Sequence, residues 1–522
     1  MAQLENKQSQ ELANKLWAIA NDLRGSMDSS KFKDYILGVI FYRYLSEHTE
    51  NYINNELLKD DGLTYEEALQ DEELAEAVKE WSLEHLGYIM EPKNLFRNLI
   101  AKINANDFTI EDFEIAIREV IGSTIGQDSE AAFDKLFDDM NLQDKDLGKE
   151  VSDRTDKIKK VMLRIHDIEF NLADSEIDIL GTAYMYLIGM FASDAGKKAG
   201  EFFTTACVSD LVARIATVGL TEVRSACDPC AGSGSMLLEL KNHLSTGKVG
   251  HFYAQEMNGS TYNLLRMNLL MHGVPYRQFS AFNDDTIKKD NFEEEQFQVQ
   301  VSNPPYSAHL NVTHQVMEND PRFSAAGAMP PKAKADLGFV EHMVYHMAED
   351  GRIAVLLPHG VLFRGGAEET IRKYFIENLN CLDAVIGLPA KLFMTTSIPV
   401  ALLVFKKNRN GDSDNIYFVD ASKEFKANKK MNTLEEEHIQ RIVEAYTSRQ
   451  DIEKFARKVS LSEIEENGYN LNISHYVDTS EEEPEIDLVK EFAILKELEK
   501  EEQVLNETLR GFFAELGLEG LY

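Results

Sequence analysis

Residues 223–240 read VRSACDPCAGSGSMLLEL. The first six, Val223 to Asp228, form a short β-rich run. A turn holding Gly232 and Gly234 follows, and the apolar residues after it recur at helical spacing. A strand that passes through a glycine-rich turn into a helix is the opening unit of a doubly wound α/β sheet. In such a sheet the turn lies at the carboxyl ends of the strands, where glycine lets a ligand approach the backbone closely. Glu256, at the end of the next apolar run, stands 24 residues after Gly232, the separation at which an acidic residue holds ribose hydroxyls. Together these features predict a site for a nucleoside-containing cofactor. The dinucleotide fingerprint G-x-G-x-x-G is incomplete, because position 237 is leucine. The turn begins instead with Asp228-Pro229, whose carboxylate suits a cationic amine better than a pyrophosphate. That favours S-adenosylmethionine, whose methionine end carries an ammonium group.

Outward from this unit, apolar runs alternate with amphipathic helices. The candidate strands are residues 223–228, 250–256, 277–283, 297–303, 352–358, 382–389 and 398–407. Helices between them include STYNLLRMNLLMH, with Tyr262, Leu265 and Leu269 on one face, and ADLGFVEHMVYHMA, with Leu337, Val340, Val344 and Met347. Strand and helix in alternation predict a mostly parallel sheet covered on both sides. From Leu12 to about Ala173 the spacing is helical throughout, as in YILGVIFYRYLSEHTE, and acidic stretches such as KDDGLTYEEALQDEELAEAVKE read as solvated helix faces. The alternation fades after about residue 408. In the last forty or so residues Leu488, Phe492, Leu495, Leu498 and Leu505 form an apolar stripe on a charged helix.

With 522 residues, 43% of them hydrophobic, the chain exceeds one ordinary domain and can bury large cores. Its formal net charge is −35, so bare nucleic acid repels it; phosphate binding depends on Lys and Arg. Work on DNA therefore needs cationic surface from elsewhere. The four cysteines, Cys207, Cys227, Cys230 and Cys381, are too few and too unevenly spaced for a disulfide framework, which fits a reducing cytoplasm. The opening MAQLENKQSQELANK has no apolar leader core and no later apolar run is long enough to span a bilayer, so a soluble cytoplasmic protein is expected.

The run VSNPPYSAHL, Val301 to Leu310, ends a buried-type strand with two prolines behind an asparagine. Proline fixes its own φ and pushes the preceding residue towards extended geometry. Asn303 and Pro304 thus form a stiff pair of hydrogen-bond acceptors beside the aromatic face of Tyr306.

DPCAGSGS, QEMN, NDDTI and NPPY follow one another in the order and spacing of the amino-methyltransferases that act on DNA adenine. AGEFFTT, PHGVLFRGGAEETIRKY and AVIGLPAKLFMTTSIPVALLVFKK resemble the modification subunit of type I restriction-modification systems, and the resemblance covers nearly the whole chain. It implies an α/β fold: a Rossmann-like S-adenosylmethionine-dependent methyltransferase domain with a mostly parallel seven-stranded sheet, preceded by an all-helical domain and followed by a helical tail. The implied division is 1–173 helical, 174–410 catalytic, 411–479 a mixed helical and irregular extension, and 480–522 partner-binding helices. The implied activity is methylation of the N6 amine of adenine in a specific double-stranded DNA sequence, which protects host DNA and serves the restriction complex. The implied partners are DNA, a specificity subunit carrying two copies of this chain, and a restriction subunit.

The same resemblance assigns residues. Adenine's amine is a poor nucleophile because its lone pair is conjugated with the ring. The Asn303 oxygen and the Pro304 carbonyl would each accept one of its hydrogens, with Pro305 completing the rigid turn and Tyr306 stacking on the flipped-out base. Glu201, Phe202, Phe203, Thr204, Thr205 and Ala206, with Asp228, Gly232, Ser233, Gly234 and Ser235, would wrap the methionine end of the cofactor; Glu256 would hold the ribose, and Asp284 or Asp285 the adenine edge. No metal is implied. The chain departs from the family at Thr205, usually proline, and at Gln298, usually acidic.

Cys227 and Cys230 form a C-x-x-C, but no second pair completes a zinc site, and they read as packing residues. His309, His342, His346 and His359 read likewise, since amine methylation needs no imidazole base. Lys197, Lys198, Lys332, Lys334 and Arg364 suit DNA phosphate contacts. Two other functions fit an NPPY site: a protein glutamine N5-methyltransferase, which the long helical region and the tail disfavour, and a non-catalytic assembly subunit, which the intact Asn303–Tyr306 run disfavours.

Overall fold

Every residue of FQVQVS, Phe297–Ser302, is buried, as in a strand covered on both faces. It is the fourth of nine strands among the described residues of the computed structural model. These residues are 11–18 apart from 13, 29–168, 179–195, 204–393, 396–409, 411–429, 431–480 and 487–518. The seven predicted strands are present as β1 (Val223–Asp228), β2 (Val249–Gln255), β3 (Phe279–Phe282), β4 (Phe297–Ser302), β5 (Met347–Pro358), β6 (Leu382–Gly387) and β7 (Val400–Lys406).

The expected seven-stranded sheet needs correction, because β8 (Asn415–Asp420) and β9 (Ala456–Ser460) enlarge it to nine strands in the order β3-β2-β1-β4-β5-β7-β6-β8-β9. Both added strands come from the 411–479 segment that reads as helical and irregular. Ile416 to Val419 are buried in β8, which pairs parallel to β6, while β9 pairs antiparallel to β8 at the sheet edge with Arg457 and Lys458 half-exposed. The sheet is mixed. β1 runs parallel to β2 and β4, β2 to β3 and β4 to β5, whereas β7 lies antiparallel between β5 and β6.

Strand order reverses between β1 and β4, which makes the crevice beyond their carboxyl ends a topological switch point. The ends of β1, β2, β3, β4 and β5 share that edge.

Residues 29–166 are helical, with the helices Ser29–Glu56, Glu72–His85, Phe96–Asn104, Ile110–Gly122 and Val151–His166 among them. Their apolar core runs on into the sheet through the helix Gly259–Met271. Tyr44 donates its hydroxyl to the Leu270 carbonyl at 2.8 Å. The Arg266 guanidinium, on a residue 2% exposed, donates to the carbonyls of Ala131 at 3.0 Å and Asp134 at 2.9 Å. A buried guanidinium persists only where carbonyls satisfy it.

The chain divides into two compact units, Met1–Val477 and Asp478–Tyr522. In the second, Asp487 caps the helix Leu488–Glu515 by accepting from the N–H groups of Val489 and Lys490, and no residue of that helix is buried. Among the described residues, no helix is long and apolar enough to cross a membrane.

Candidate active site

β1 delivers Asp228, 1% exposed, to the switch point. Its Oδ1 accepts from the Cys230 N–H at 2.9 Å and from the Ser302 hydroxyl at 2.8 Å. Burial pushes the carboxyl up to about 7 despite these two bonds, which favour the anion. Ser302 ends β4, so one hydroxyl ties the carboxyl ends of β1 and β4 together.

Gly232 and Gly234 adopt φ of +54° and +81°. The left-handed φ at Gly234 strains any other residue, and a Cβ there would also stand 2.7 Å from Cδ1 of Leu265. The Gly232 N–H donates to Glu256 Oε2 at 3.0 Å, and the Asn258 N–H to Oε1 at 2.8 Å. The turn after β1 and the end of β2 thereby hold each other, and burial raises the Glu256 pKa. Ser233 is 1% exposed and its Oγ has no partner, while its carbonyl accepts from Asn268 at 2.7 Å. Ser235 opens the helix Ser235–Asn242.

In the loop after β3, Asn283 donates from Nδ2 to the carbonyls of Glu256 at 2.8 Å and Met257 at 3.1 Å. Asp284 Oδ2 takes Lys289 and Asn291, each at 2.8 Å, and these bonds hold its carboxyl below the usual range. Asp285 accepts from the N–H groups of Ile287 at 3.1 Å and Lys288 at 3.3 Å, and from Asn311 at 2.9 Å. Both carboxylates are thus held in place by contacts within and around this loop.

Beyond β4, Asn303 and Tyr306 are half-buried, Pro304 is buried and Pro305 is exposed. Asn303 Nδ2 donates to Thr204 Oγ1 at 3.2 Å, and the Tyr306 hydroxyl donates to Asn303 Oδ1 at 2.6 Å. The Tyr306 ring stands edge-on to Phe393, centroids 6.2 Å apart. Thr205 precedes the helix Ala206–Thr217 in extended geometry, with its Oγ1 3.7 Å from Cys207 Sγ. Glu201, Phe202 and Phe203, like Lys197 and Lys198, lie outside the described residues.

The structure thus brings together Thr204, Asp228, Gly232 to Ser235, Glu256 and Asn303 to Tyr306. Sequence reasoning missed Ser302, Asn283 and Phe393. Ser302 had one available signal, a hydroxyl immediately before Asn303 at the end of a buried-type strand. Of the proposed phosphate contacts, Lys332 is exposed and Lys334 half-buried. Arg364 donates to Glu368 at 2.9 Å and to Asp336 at 3.4 Å.

Cys227 is buried against Phe292 and Phe297, and burial pushes the thiols of Cys227 and Cys230 well above their ordinary value. Among the described residues, the groupings with metal-ligand spacing are Asp290–His342–His346 and Asp210–Glu239–His243, neither of which includes a cysteine. In the first, Asp290 pairs with His346 Nε2 at 2.9 Å, and Arg322 donates to His342 Nδ1 at 3.1 Å. Arg322, whose side chain is 3% exposed, also donates to the carbonyls of Thr286 and Ile287. A guanidinium already supplies positive charge in that pocket, and the other ring nitrogen of His346 meets the Glu295 carbonyl at 2.7 Å. Gln298 accepts from the Arg224 N–H at 2.8 Å and donates to Asp350 at 3.0 Å, bracing β4 against its neighbours.

Residues 175–485 match the family described as N-6 DNA Methylase, and residues 12–165 match the HsdM N-terminal domain. The chain is 37% identical over 507 residues to the type I restriction enzyme MpnII methylase subunit of Mycoplasma pneumoniae, covering 94% of this chain and 93% of that one. It is 32% identical to the MjaVII methylase subunit of Methanocaldococcus jannaschii, over 67% of this chain and 62% of that one. Among solved structures, the methyltransferase subunit of a type I restriction-modification system from Streptococcus thermophilus superposes with a TM-score of 0.82 at 38% identity, covering 90% of this chain and all of that one.

Proposed function

The chain belongs to the N-6 DNA methylase family, as the modification subunit of a type I restriction-modification system and an adenine-specific DNA methyltransferase, and on that premise we propose how its residues divide the work. The observation that carries the proposal is the 2.8 Å bond from Ser302 to Asp228, which sets the acceptor pair after β4 directly beside the glycine turn after β1. A methyl donor held by the turn and an amine held by Asn303 and Pro304 share one wall.

Asn303 Oδ1 and the Pro304 carbonyl accept the two hydrogens of the adenine N6 amine, drawing its nitrogen towards tetrahedral geometry so that the lone pair is released from the ring. Acceptors fixed before reaction stabilise charge as it develops on the amine. Pro305 keeps the turn rigid and Tyr306 stacks on the extruded base. Thr204 Oγ1, by accepting from Asn303 Nδ2, selects which end of the amide faces the substrate.

The residues of the turn suit S-adenosylmethionine. The buried Asp228 carboxyl and the partnerless buried Ser233 hydroxyl are groups that a ligand's ammonium and carboxylate, respectively, can satisfy, and Glu256, held against the glycine turn, would accept from ribose hydroxyls. When bound, this cofactor supplies a methyl group on a sulfonium. Residues 201–206 would close the methionine end, with Asp284 or Asp285 at the adenine edge.

We read residues 1–173 as the helical domain, 174–410 as the catalytic domain, 411–479 as its extension and 480–522 as the element that binds partners. A net charge of −35 leaves DNA capture dependent on cationic surface supplied from outside. A specificity subunit bearing two copies of this chain meets that need, joined by a restriction subunit in the full complex, in the cytoplasm. Transfer of labelled methyl from S-adenosylmethionine to adenine of unmethylated DNA by the reconstituted full-length chain tests the reading. Loss of transfer in Asn303→Ala with retained cofactor binding supports it; equal transfer in that variant overturns it.

A further inference from the structure

Asp336 begins the helix Asp336–Tyr345 and is 1% exposed. Its Oδ1 accepts the N–H of Ser307 at 2.7 Å, and its Oδ2 accepts from Arg364 at 3.4 Å. Ser307 has φ of +52°, a left-handed conformation that a residue with a Cβ rarely adopts. It directly follows Tyr306, whose hydroxyl rests on Asn303. A strained turn immediately behind the acceptor pair is therefore held by a charge-assisted bond to a buried carboxylate.

Two backbone bonds run alongside this one. The Ala335 N–H donates to the Ala308 carbonyl at 2.9 Å, and the Leu310 N–H to the Lys332 carbonyl at 2.8 Å. They tie residues 308–310 to 332–335 but leave Ser307 to Asp336 alone. Arg364 is held in turn by Glu368, itself 3% exposed, and packs over Gly360, where a Cβ would collide with the guanidinium. The PHGVLFRGG segment is thereby connected to the residue behind NPPY.

We propose that Asp336 is a positioning residue for methyl transfer: through the Ser307 N–H it fixes the turn that sets Tyr306 and Asn303, with Arg364 steadying its second oxygen. The inference rests on the reading of Asn303 and Pro304 as the amine site. It removes Arg364 from the set of DNA phosphate contacts and gives it an internal task.

The test uses the full chain assembled with its specificity subunit, with methyl transfer normalised to titrated cofactor sites so that loss of folded protein does not count. Asp336→Ala should lower kcat by about 10²-fold, the effect of misplacing a reacting group by about an ångström, with cofactor affinity unchanged. Asp336→Asn keeps the acceptor for Ser307 and should recover most of the loss. Arg364→Gln, at a partly exposed position, should lower kcat and leave the KM for DNA unchanged. The inference is overturned if Asp336→Ala keeps wild-type kcat per cofactor site, if Asp336→Asn is as impaired as Asp336→Ala, or if Arg364→Gln raises only the KM for DNA. A wild-type complex that transfers no methyl to adenine removes the amine-site reading and this inference with it; an active wild type beside an unimpaired Asp336→Ala removes this inference alone.

Discussion

The hydroxyl of Tyr306 lies 2.6 Å from Oδ1 of Asn303 and donates to it. The atom assigned to receive the target amine is thus already satisfied by the residue assigned to stack on the base. Burial pushes the Tyr306 phenol well above its ordinary pKa, so it remains a donor across the working pH range. On the proposed reading, arrival of the amine would exchange one donor on Oδ1 for another, and the Tyr306 bond keeps that oxygen from standing bare between turnovers.

That exchange makes the hydroxyl dispensable and the ring necessary. Tyr306→Phe should keep kcat within about fivefold, whereas Tyr306→Ala should lose stacking of about 1–3 kcal/mol, read as a fall in kcat/KM for DNA. Steady-state methyl transfer on one unmethylated duplex compares them. A phenylalanine variant as poor as the alanine one would show that the hydroxyl itself takes part in transfer.

Asn303→Ala removes one fixed acceptor and should cost 10²- to 10³-fold in kcat, with cofactor binding by calorimetry nearly unchanged. Thr204→Val removes the acceptor that orients the Asn303 amide, at 3.2 Å, and should cost about tenfold, the worth of one ordinary hydrogen bond. Thr204→Ser restores the hydroxyl and should restore the rate. Equal activity in the valine and serine variants would leave the amide orientation to other contacts.

Cofactor affinity should depend on pH through Asp228. Burial holds its carboxyl at about 7, so below that pH the free protein carries the neutral acid and above it the carboxylate that an ammonium requires. Affinity should therefore weaken as pH falls through 7, by about tenfold per unit below it, and binding on the acid side should release a proton. Calorimetry in buffers of different ionisation enthalpy measures both. Asp228→Asn should bind weakly with a flat pH profile; an unchanged profile would assign the titration to another group.

Removing residues 480–522 deletes the helix whose Leu488, Phe492, Leu495 and Leu498 are all at least half exposed. The shortened chain should still bind cofactor but should no longer co-purify with the specificity subunit or methylate DNA. Phe492→Asp with Leu498→Asp in the full-length chain should do the same without shortening it, as expected of an amphipathic helix docking by its apolar face. An active complex formed by the truncated chain would place the docking surface elsewhere.

The parts legible in the sequence were those whose signal is local. Strand periodicity located β1 to β7, and the Asp228–Ser235 turn and the Asn303–Tyr306 run were each contained within eight residues. β8 escaped because NIYFVD follows the polar stretch KKNRNGDSD, which reads as the end of the alternating pattern, and β9 because a five-residue edge strand with half-exposed polar residues has almost no periodicity. The supporting contacts were hidden for another reason. Ser302 meets Asp228 across 74 residues and Asp336 meets Ser307 across 29, and separations of that size become neighbours only once strand order is known. The carboxylate partners of Arg364, Asp336 and Glu368, were hidden for the same cause, the first lying 28 residues away.

The position of β7 also governs how the protein can be made. β6 leaves the ribosome before β7, yet β7 lies between β5 and β6 in the finished sheet. Until residue 406 has emerged, β5 has an unpaired inner edge and β6 has no partner to join it to the rest. A nascent chain of that length exposes two hydrophobic strand edges facing a gap, the arrangement most prone to pair with the wrong chain. A chain stalled between the codons for β6 and β7 is therefore left with that edge of β5 open and β6 undocked.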